Sequence, residues 1–181
     1  MKKLMIIMLV GLFVVTGCGK KVDTPTEKVE QYLTFFQERE KGVVERLSDW
    51  IMDQDLEEDL RSTYQDIMEQ QYQNLSYEIL KEEIDNDKAT VVVEIEVLNY
   101  QASLEKSKDY FLNHQEEFYE TVKEQEEAEK TKEYKEYRIK ELQNVKDKTK
   151  YQITFQLTKR NKEWVIDEID NATFLKMYGI Y

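Results

Sequence analysis

The stretch "KATVVVEIEV", residues 88–97, determines the fold class of this chain. A repeat of two residues places alternate side chains on opposite faces of a β-strand. One face of this strand would be apolar and buried, and the other would be open to water. The first face carries Ala89, Val91, Val93, Ile95 and Val97, and the second carries Thr90, Val92, Glu94 and Glu96.

Neighbouring segments extend this strand into two hairpins. Upstream, Tyr77 and Ile79 alternate with polar residues, and the turn signal at 85–87, Asp-Asn-Asp, joins them to the central strand. Downstream, residues 151–157 alternate in the same way, and "RNK", residues 160–162, turns the chain into "EWVIDEI". The sequence therefore predicts an antiparallel sheet of two hairpins, with Phe155 on its buried face.

The residues before the sheet predict three amphipathic helices. The first begins at Thr24, which suits the N-cap, with Pro25 at the first helical position and Glu27 placed to bond back to the cap. We expect Gly42 to interrupt the helical pattern. The apolar residues at helical spacing are Val29, Tyr32, Leu33 and Phe36, then Val44, Leu47 and Ile51 beside Trp50, then Leu56, Leu60, Tyr64, Ile67 and Met68.

A helical insertion, residues 101–148, separates the two hairpins. Its apolar residues are sparse and the run "EQEEAEKTKE" inside it is almost all charge, so we expect two helices or one long bent helix with a solvated face. The C-terminal "TFLKMYGIY" is apolar enough to dock on the folded body. The expected anchors of the insertion, onto the body or onto a partner, are Phe111, Phe118, Tyr134 and Tyr137.

The N-terminus has the pattern of a secretory signal. Two lysines precede an apolar run from Leu4 to Val15, and small residues end it. As a helix this run reaches only about 18 Å, which is short for a bilayer core of ~30 Å.

The residues at 15–18, Val-Thr-Gly-Cys, resemble the lipobox of bacterial lipoproteins. The resemblance implies a diacylglycerol on the sulfur of Cys18 and cleavage just before it. Residues 1–17 would then be the signal, 18–24 the lipidated cysteine and tether, and 25–181 a single domain. An ordinary secretory signal with an incidental cysteine is the alternative.

Composition limits the classes of function. The formal charge of −12 becomes −14 when the two signal lysines are removed, which argues against nucleic-acid binding because that needs a basic surface. Solubility is the simpler reason for such a charge. Only three glycines follow the signal, which excludes a glycine-rich phosphate loop. Cys18 is the only cysteine, so no intramolecular disulfide forms.

Few residues suggest chemistry. His114 is the only histidine, and between polar neighbours it is expected at the surface rather than in a metal site. Acidic pairs such as Glu57-Glu58 arise readily among 38 acidic residues. Tyr32, Tyr64 and Tyr77 fit the core or its rim better than a catalytic role. We therefore assign no catalytic, cofactor-binding or metal-binding residue, and ligand-binding residues stay unknown.

The order of helices, hairpin, helical insertion and hairpin, together with "NKEWVIDEI", residues 161–169, resembles the cystatin-like or NTF2-like superfamily and its small Gram-positive lipoproteins. The resemblance implies an α+β fold, with a curved antiparallel sheet around the N-terminal helices and often a cone-shaped cavity. Some enzymes of related fold use Tyr and Asp inside that cone, but fold alone does not establish such a role.

We expect a lipoprotein anchored to the extracytoplasmic face of a cell membrane, in a Gram-positive bacterium. Its leading function is that of a non-catalytic binding or interaction module at the cell envelope, which implies an envelope protein as partner. One alternative is a small-ligand or enzymatic domain that uses the cone cavity, and another is a structural or stress-related envelope protein. A buried Tyr/Asp or His/Asp group would favour the enzyme, and an exposed apolar patch would favour a partner. No cofactor is expected.

Replacing Cys18 with serine tests the predicted anchor. Because the acyl chains attach to sulfur, the wild-type protein should enter the detergent phase in a detergent-partitioning experiment, and Cys18→Ser should enter the aqueous phase. Equal partitioning of the two proteins would show that the chain is not lipidated at this residue.

Overall fold

The computed structural model of this chain describes residues 24–118 and 131–181. Within these ranges the chain forms six α-helices, one 3₁₀ turn and a four-stranded antiparallel sheet, which confirms the α+β class. The predicted signal and Cys18 lie outside the described residues. The elements in chain order are α1 (Pro25–Gln37), α2 (Lys41–Met52), α3 (Glu58–Asn74), β1 (Ser76–Asp85), β2 (Lys88–Leu98), α4 (Tyr100–Asn113), the 3₁₀ turn (Gln115–Glu117), α5 (Lys132–Gln143), β3 (Lys148–Arg160), β4 (Glu163–Ile166) and α6 (Asn171–Met177).

Helix α1 begins as the sequence predicts but ends at an unexpected residue. The Thr24 hydroxyl accepts from the Glu27 backbone at 3.1 Å, and the Thr24 backbone N–H donates back to the Glu27 carboxylate at 3.2 Å. The chain then breaks at Arg39, whose φ of 54° is left-handed, so the prediction that Gly42 interrupts the helices is wrong. Gly42 lies inside α2, where an added Cβ would meet open space.

The sheet is a meander in the order β1-β2-β3-β4, with the register that alternation predicts. Val91 pairs with Phe155 and Val93 pairs with Ile153, and all four side chains are buried. Thr154, on the opposite face of β3, is exposed. Residues 161 and 162 both have positive φ, at 52° and 71°, as the tight turns of two-residue hairpins require.

Strand β1 is the long outer edge of the sheet and is irregular. The register shifts between Ile79 and Lys81, so the strand bulges at Leu80, which is exposed. Beyond the bulge, the Glu82 carboxylate accepts from the Thr26 backbone N–H at 2.9 Å. This bond ties the far end of β1 to the first turn of α1.

Aromatic side chains fill the layer between the helices and the sheet. Helices α1 and α3 lie on the sheet, and α2 packs on α3. The ring of Tyr32 meets Phe155 with centroids 5.8 Å apart, Phe36 meets Tyr72 at 5.0 Å, and Tyr72 meets Tyr178 at 5.9 Å. The first two pairs are edge-to-face and the third is tilted, and together they occupy the layer in which the resemblance implies a cone-shaped cavity.

The insertion forms two helices, α4 and α5, on either side of the undescribed residues 119–130. They pack against each other, and α5 also packs against α3. Ile139 and Leu142 of α5 are buried in the main core, so the insertion is part of the folded body. In the described ranges, no helix is both long and apolar enough to cross a bilayer.

The fully buried amide of Gln71 joins three distant parts of the chain. Its Nε2 donates to the carbonyl of Leu98 at 2.8 Å and to that of Tyr178 at 2.9 Å, and its Oε1 accepts from the Leu98 N–H at 2.7 Å. Gly179 lies against this network with φ of 70°. The C-terminal segment therefore docks on the body, as its composition predicts, with Met177 and Tyr178 buried.

Shortening Phe155 tests the register. Phe155→Ala removes a buried ring and should lower the free energy of unfolding by ~3–5 kcal/mol, whereas Thr154→Ala on the open face should change it by about 0.5 kcal/mol or less. Urea unfolding followed by tryptophan fluorescence measures both. Similar losses would mean that the faces of β3 are exchanged, because a slip of one residue does that.

Two glycine substitutions test the contact at the C-terminus. An added Cβ at Gly179 would lie 2.1 Å from the Leu98 carbonyl oxygen and 2.3 Å from Gln71 Nε2, so Gly179→Ala should destabilise the protein by about 2–5 kcal/mol. Gly42→Ala is the matched control in an open helical position and should stabilise by about 0.5–1 kcal/mol. Equal effects in thermal melts would contradict the close approach at Gly179.

Candidate functional site

The three tyrosines that the sequence singles out do not come together. Tyr64 is buried beside Trp50, with ring centroids 6.1 Å apart, whereas Tyr77 lies half-buried on the edge strand β1. Tyr32 is half-buried under α2, where its hydroxyl accepts from Arg46 at 3.4 Å. Tyr64 therefore lies in the core, and Tyr32 and Tyr77 lie at its rim.

His114 is half-buried, not on an open surface as the sequence suggested. It ends α4, where its Nδ1 lies 2.9 Å from the Tyr110 carbonyl oxygen and its ring stacks on the Tyr110 ring at 4.1 Å. The described residues contain no group of three or more His, Cys, Asp and Glu side chains placed to hold a metal ion.

The predicted anchors of the insertion pack against one another. Phe111, Phe118 and Tyr134 form a small cluster of their own, with Phe111 and Tyr134 centroids 4.5 Å apart, and Tyr137 packs on its side. Of the described insertion side chains, only Leu112 is both large and apolar and widely exposed. The aromatic residues of the insertion therefore close a second core and offer little surface to a partner.

An ionic cluster fastens the insertion to the body. Lys135 of α5 is buried, and its Nζ lies 3.3 Å from carboxylate oxygens of both Asp55 and Glu57 in the segment before α3. Lys132, one turn earlier, reaches Asp59 at 2.5 Å. A cavity of about 250 Å³ adjoins the cluster and is lined by Tyr64 and Arg138, and its Lys135 and Asp55 are engaged in holding α5 to the segment before α3.

A larger cleft lies elsewhere, between α1, α2 and the segment from β4 to α6. It has a volume of about 520 Å³ and is open to solvent. Phe35 and Val165 remain 36% exposed within it, so the cleft offers two large apolar side chains to a ligand. Its apolar lining consists of Tyr32, Phe35, Val165, Ile166, Ile169 and Phe174.

Charges of both signs border the cleft. On the helical side, Arg46 lies with its guanidinium 5.0 Å from the centre of the Phe174 ring, and Lys28 donates to the Gln31 side chain at 3.0 Å. On the opposite side, Asp167 accepts from the Thr158 hydroxyl at 2.9 Å. The cleft thus combines an apolar floor with a cation that is stacked but accessible, an arrangement suited to binding.

Sequence reasoning missed this cleft because its residues are far apart in the chain. One signal was present: in "FF" at 35–36 the second ring lies on the apolar stripe of an amphipathic helix, so the first ring is turned outward. The structure buries Phe36 and exposes Phe35. Nothing in the sequence pattern predicts that Arg46 and Phe174 meet the same surface.

Comparison of the chain with protein families, with curated proteins and with solved structures finds no match.

The buried tyrosines predict how the protein responds to alkali. Burial raises the pKa of Tyr64 to about 12, and it also raises the pKa of Tyr100, whose hydroxyl donates to the Ile67 carbonyl at 3.0 Å. An unfolded tyrosine ionises near pH 10, so the stability from these neutral hydroxyls is complete below pH ~10 and is lost as pH rises towards ~12. Tyrosinate absorbance and circular dichroism should therefore change together above pH ~10.

Tyr64→Phe should move this transition to higher pH, because one group that favours the unfolded state in alkali is removed. Tyr181→Phe, at an exposed residue, is the control. Complete ionisation while the circular dichroism stays native would contradict the assignment of these hydroxyls to the core.

Proposed function

We propose that this protein is a lipoprotein anchored through Cys18 to the extracytoplasmic face of a bacterial membrane, and that its folded domain is a non-catalytic binding module of the cell envelope. The lipobox-like residues at 15–18 support the anchor. The open apolar cleft between α1, α2 and the segment from β4 to α6 carries the binding assignment.

The cleft supports binding more than catalysis because of the residues that face it. Arginine stays protonated throughout the physiological range, so Arg46 is suited to hold a ligand rather than to transfer a proton. The neighbouring Tyr32 is held in its neutral form, since burial raises its pKa and Arg46 only partly opposes this. Among the charged groups of the opposite side, Asp167 is occupied by Thr158 and by Arg160 at 3.4 Å.

Kinship with the cystatin-like or NTF2-like superfamily is part of this proposal. Helices on one face of an antiparallel sheet made of two hairpins support it. The ligand site would then differ from a cone-shaped cavity, because aromatic rings such as Phe36 and Tyr72 occupy the layer between helices and sheet. A cleft at the edge of that layer favours a small ligand over a broad protein interface, which needs a larger flat surface.

A neutral apolar probe tests the binding assignment. N-phenylnaphthylamine fluoresces in apolar surroundings, and the native protein should bind one molecule saturably. Phe35→Ser removes part of the apolar floor and should weaken the affinity about tenfold. Leu112→Ser makes the same kind of change at an exposed apolar residue of α4 and should leave the affinity unchanged.

Circular dichroism is the control that checks whether both variants are folded. Absence of saturable binding to the wild-type protein, or equal loss in the two variants, would remove the cleft as the site and favour a structural role in the envelope.

A further inference from the structure

Arg46 is a cation with little hydrogen bonding to the described residues. A guanidinium has five N–H donors, and among those residues its one hydrogen bond is that of 3.4 Å to the Tyr32 hydroxyl. Stacking on Phe174 at 5.0 Å holds the group in place without consuming a donor. Within residues 24–118 and 131–181, no carboxylate oxygen lies within 4 Å of its nitrogens, although the chain has 38 acidic residues.

The Tyr32 hydroxyl complements this cation. It accepts from Arg46, so its own hydrogen remains to be donated, and it has no acceptor among the described residues. Burial raises the pKa of Tyr32, so this hydrogen is retained at neutral pH. The guanidinium and the hydroxyl lie 3.4 Å apart, and both residues line the cleft, so together they offer it hydrogen-bond donors.

The two sides of the cleft differ in the sign of their charged side chains. Lys28 lines the helical side of the cleft and adds a second cation, which donates to the Gln31 amide oxygen. Across the cleft, Asp167 is bonded to Thr158 and Arg160, and Glu168 is exposed. The helical side of the cleft thus carries two cations, and the carboxylates that line the cleft come from the opposite side.

We infer that the cleft binds a small amphipathic carboxylic acid, which rests on the proposed function. The carboxylate accepts from the Arg46 guanidinium and the Tyr32 hydroxyl, and the apolar body lies on Phe35, Val165 and Ile169. Hydrogen bonds to a charged group in this geometry are stronger than those between neutral groups. The acidic surface elsewhere repels anions, so Arg46 supplies the selectivity for a carboxylate.

Octanoate and octanol test this inference, because they share a chain length and differ in charge. Each should displace N-phenylnaphthylamine from the full-length protein, and octanoate should bind about tenfold more tightly at neutral pH. Arg46→Gln should remove this difference by weakening octanoate alone. Lys41→Gln removes the same charge from the exposed first turn of α2, outside the cleft, and should preserve the difference.

Each outcome is decisive for the carboxylate site. If octanol binds as tightly as octanoate to the wild-type protein, the inference is wrong while the apolar cleft stands. If the tenfold preference survives in Arg46→Gln, Arg46 does not bind the carboxylate. If a short apolar peptide with a free C-terminus displaces the probe and octanoate does not, the cleft recognises a chain end and the assignment to a free acid fails.

Tyr32→Phe is a second variant that retains the ring in the core and removes only the hydroxyl. It should reduce the preference for octanoate about threefold and leave the affinity for octanol unchanged. An equal reduction for both ligands would assign Tyr32 to the apolar floor alone and overturn its part in the carboxylate site.

Discussion

The position of every layer in this fold depends on one buried side chain, the amide of Gln71. It makes three hydrogen bonds with backbone groups of Leu98 and Tyr178, which come from the end of β2 and from the C-terminal segment. A buried amide costs free energy unless it is bonded, and the backbone groups would be unpaired without it, so α3, the sheet and the C-terminus must meet in one arrangement. Gly179 makes that arrangement possible, because any Cβ at this residue would overlap the Leu98 carbonyl.

The sheet could be predicted closely because its information is local. Alternation from Ala89 to Val97 fixes which face is buried, and the turn residues fix where each hairpin reverses. The helical layer was predicted less well at its boundaries. The sequence predicts a helix break at Gly42, but the break occurs at Arg39, which adopts a left-handed conformation. A residue outside a helix interior can adopt this conformation without a sequence pattern that indicates it. No sequence pattern predicts the role of Gln71, since the residues that it bonds, Leu98 and Tyr178, are 27 and 107 residues away along the chain.

The candidate site could not be predicted for a related reason. Its cation and its aromatic floor come from α1, α2 and the segment after β4, and only packing brings them together. The aromatic residues of the insertion show the reverse. The sequence allows them to contact a partner, but Phe111, Phe118 and Tyr134 are buried against one another. Whether an apolar side chain is exposed thus depends on tertiary packing, and Phe35 could be distinguished in the sequence only as the first ring of a pair whose second ring, Phe36, lies on the apolar stripe of α1.

The irregular edge of the sheet affects how neighbouring molecules would associate on a membrane. Proteins tethered to a membrane, as we propose for this one, are concentrated in two dimensions, where exposed strand edges meet often and can join into larger sheets. Strand β1 bulges at Leu80 and carries four acids and one cation, Lys81, which pairs with Glu83 at 2.6 Å. Two copies brought edge to edge would therefore face mainly like charges and a mismatched ladder. The other edge, β4, is only four residues long. Crowding on the membrane would therefore leave neighbouring molecules separate.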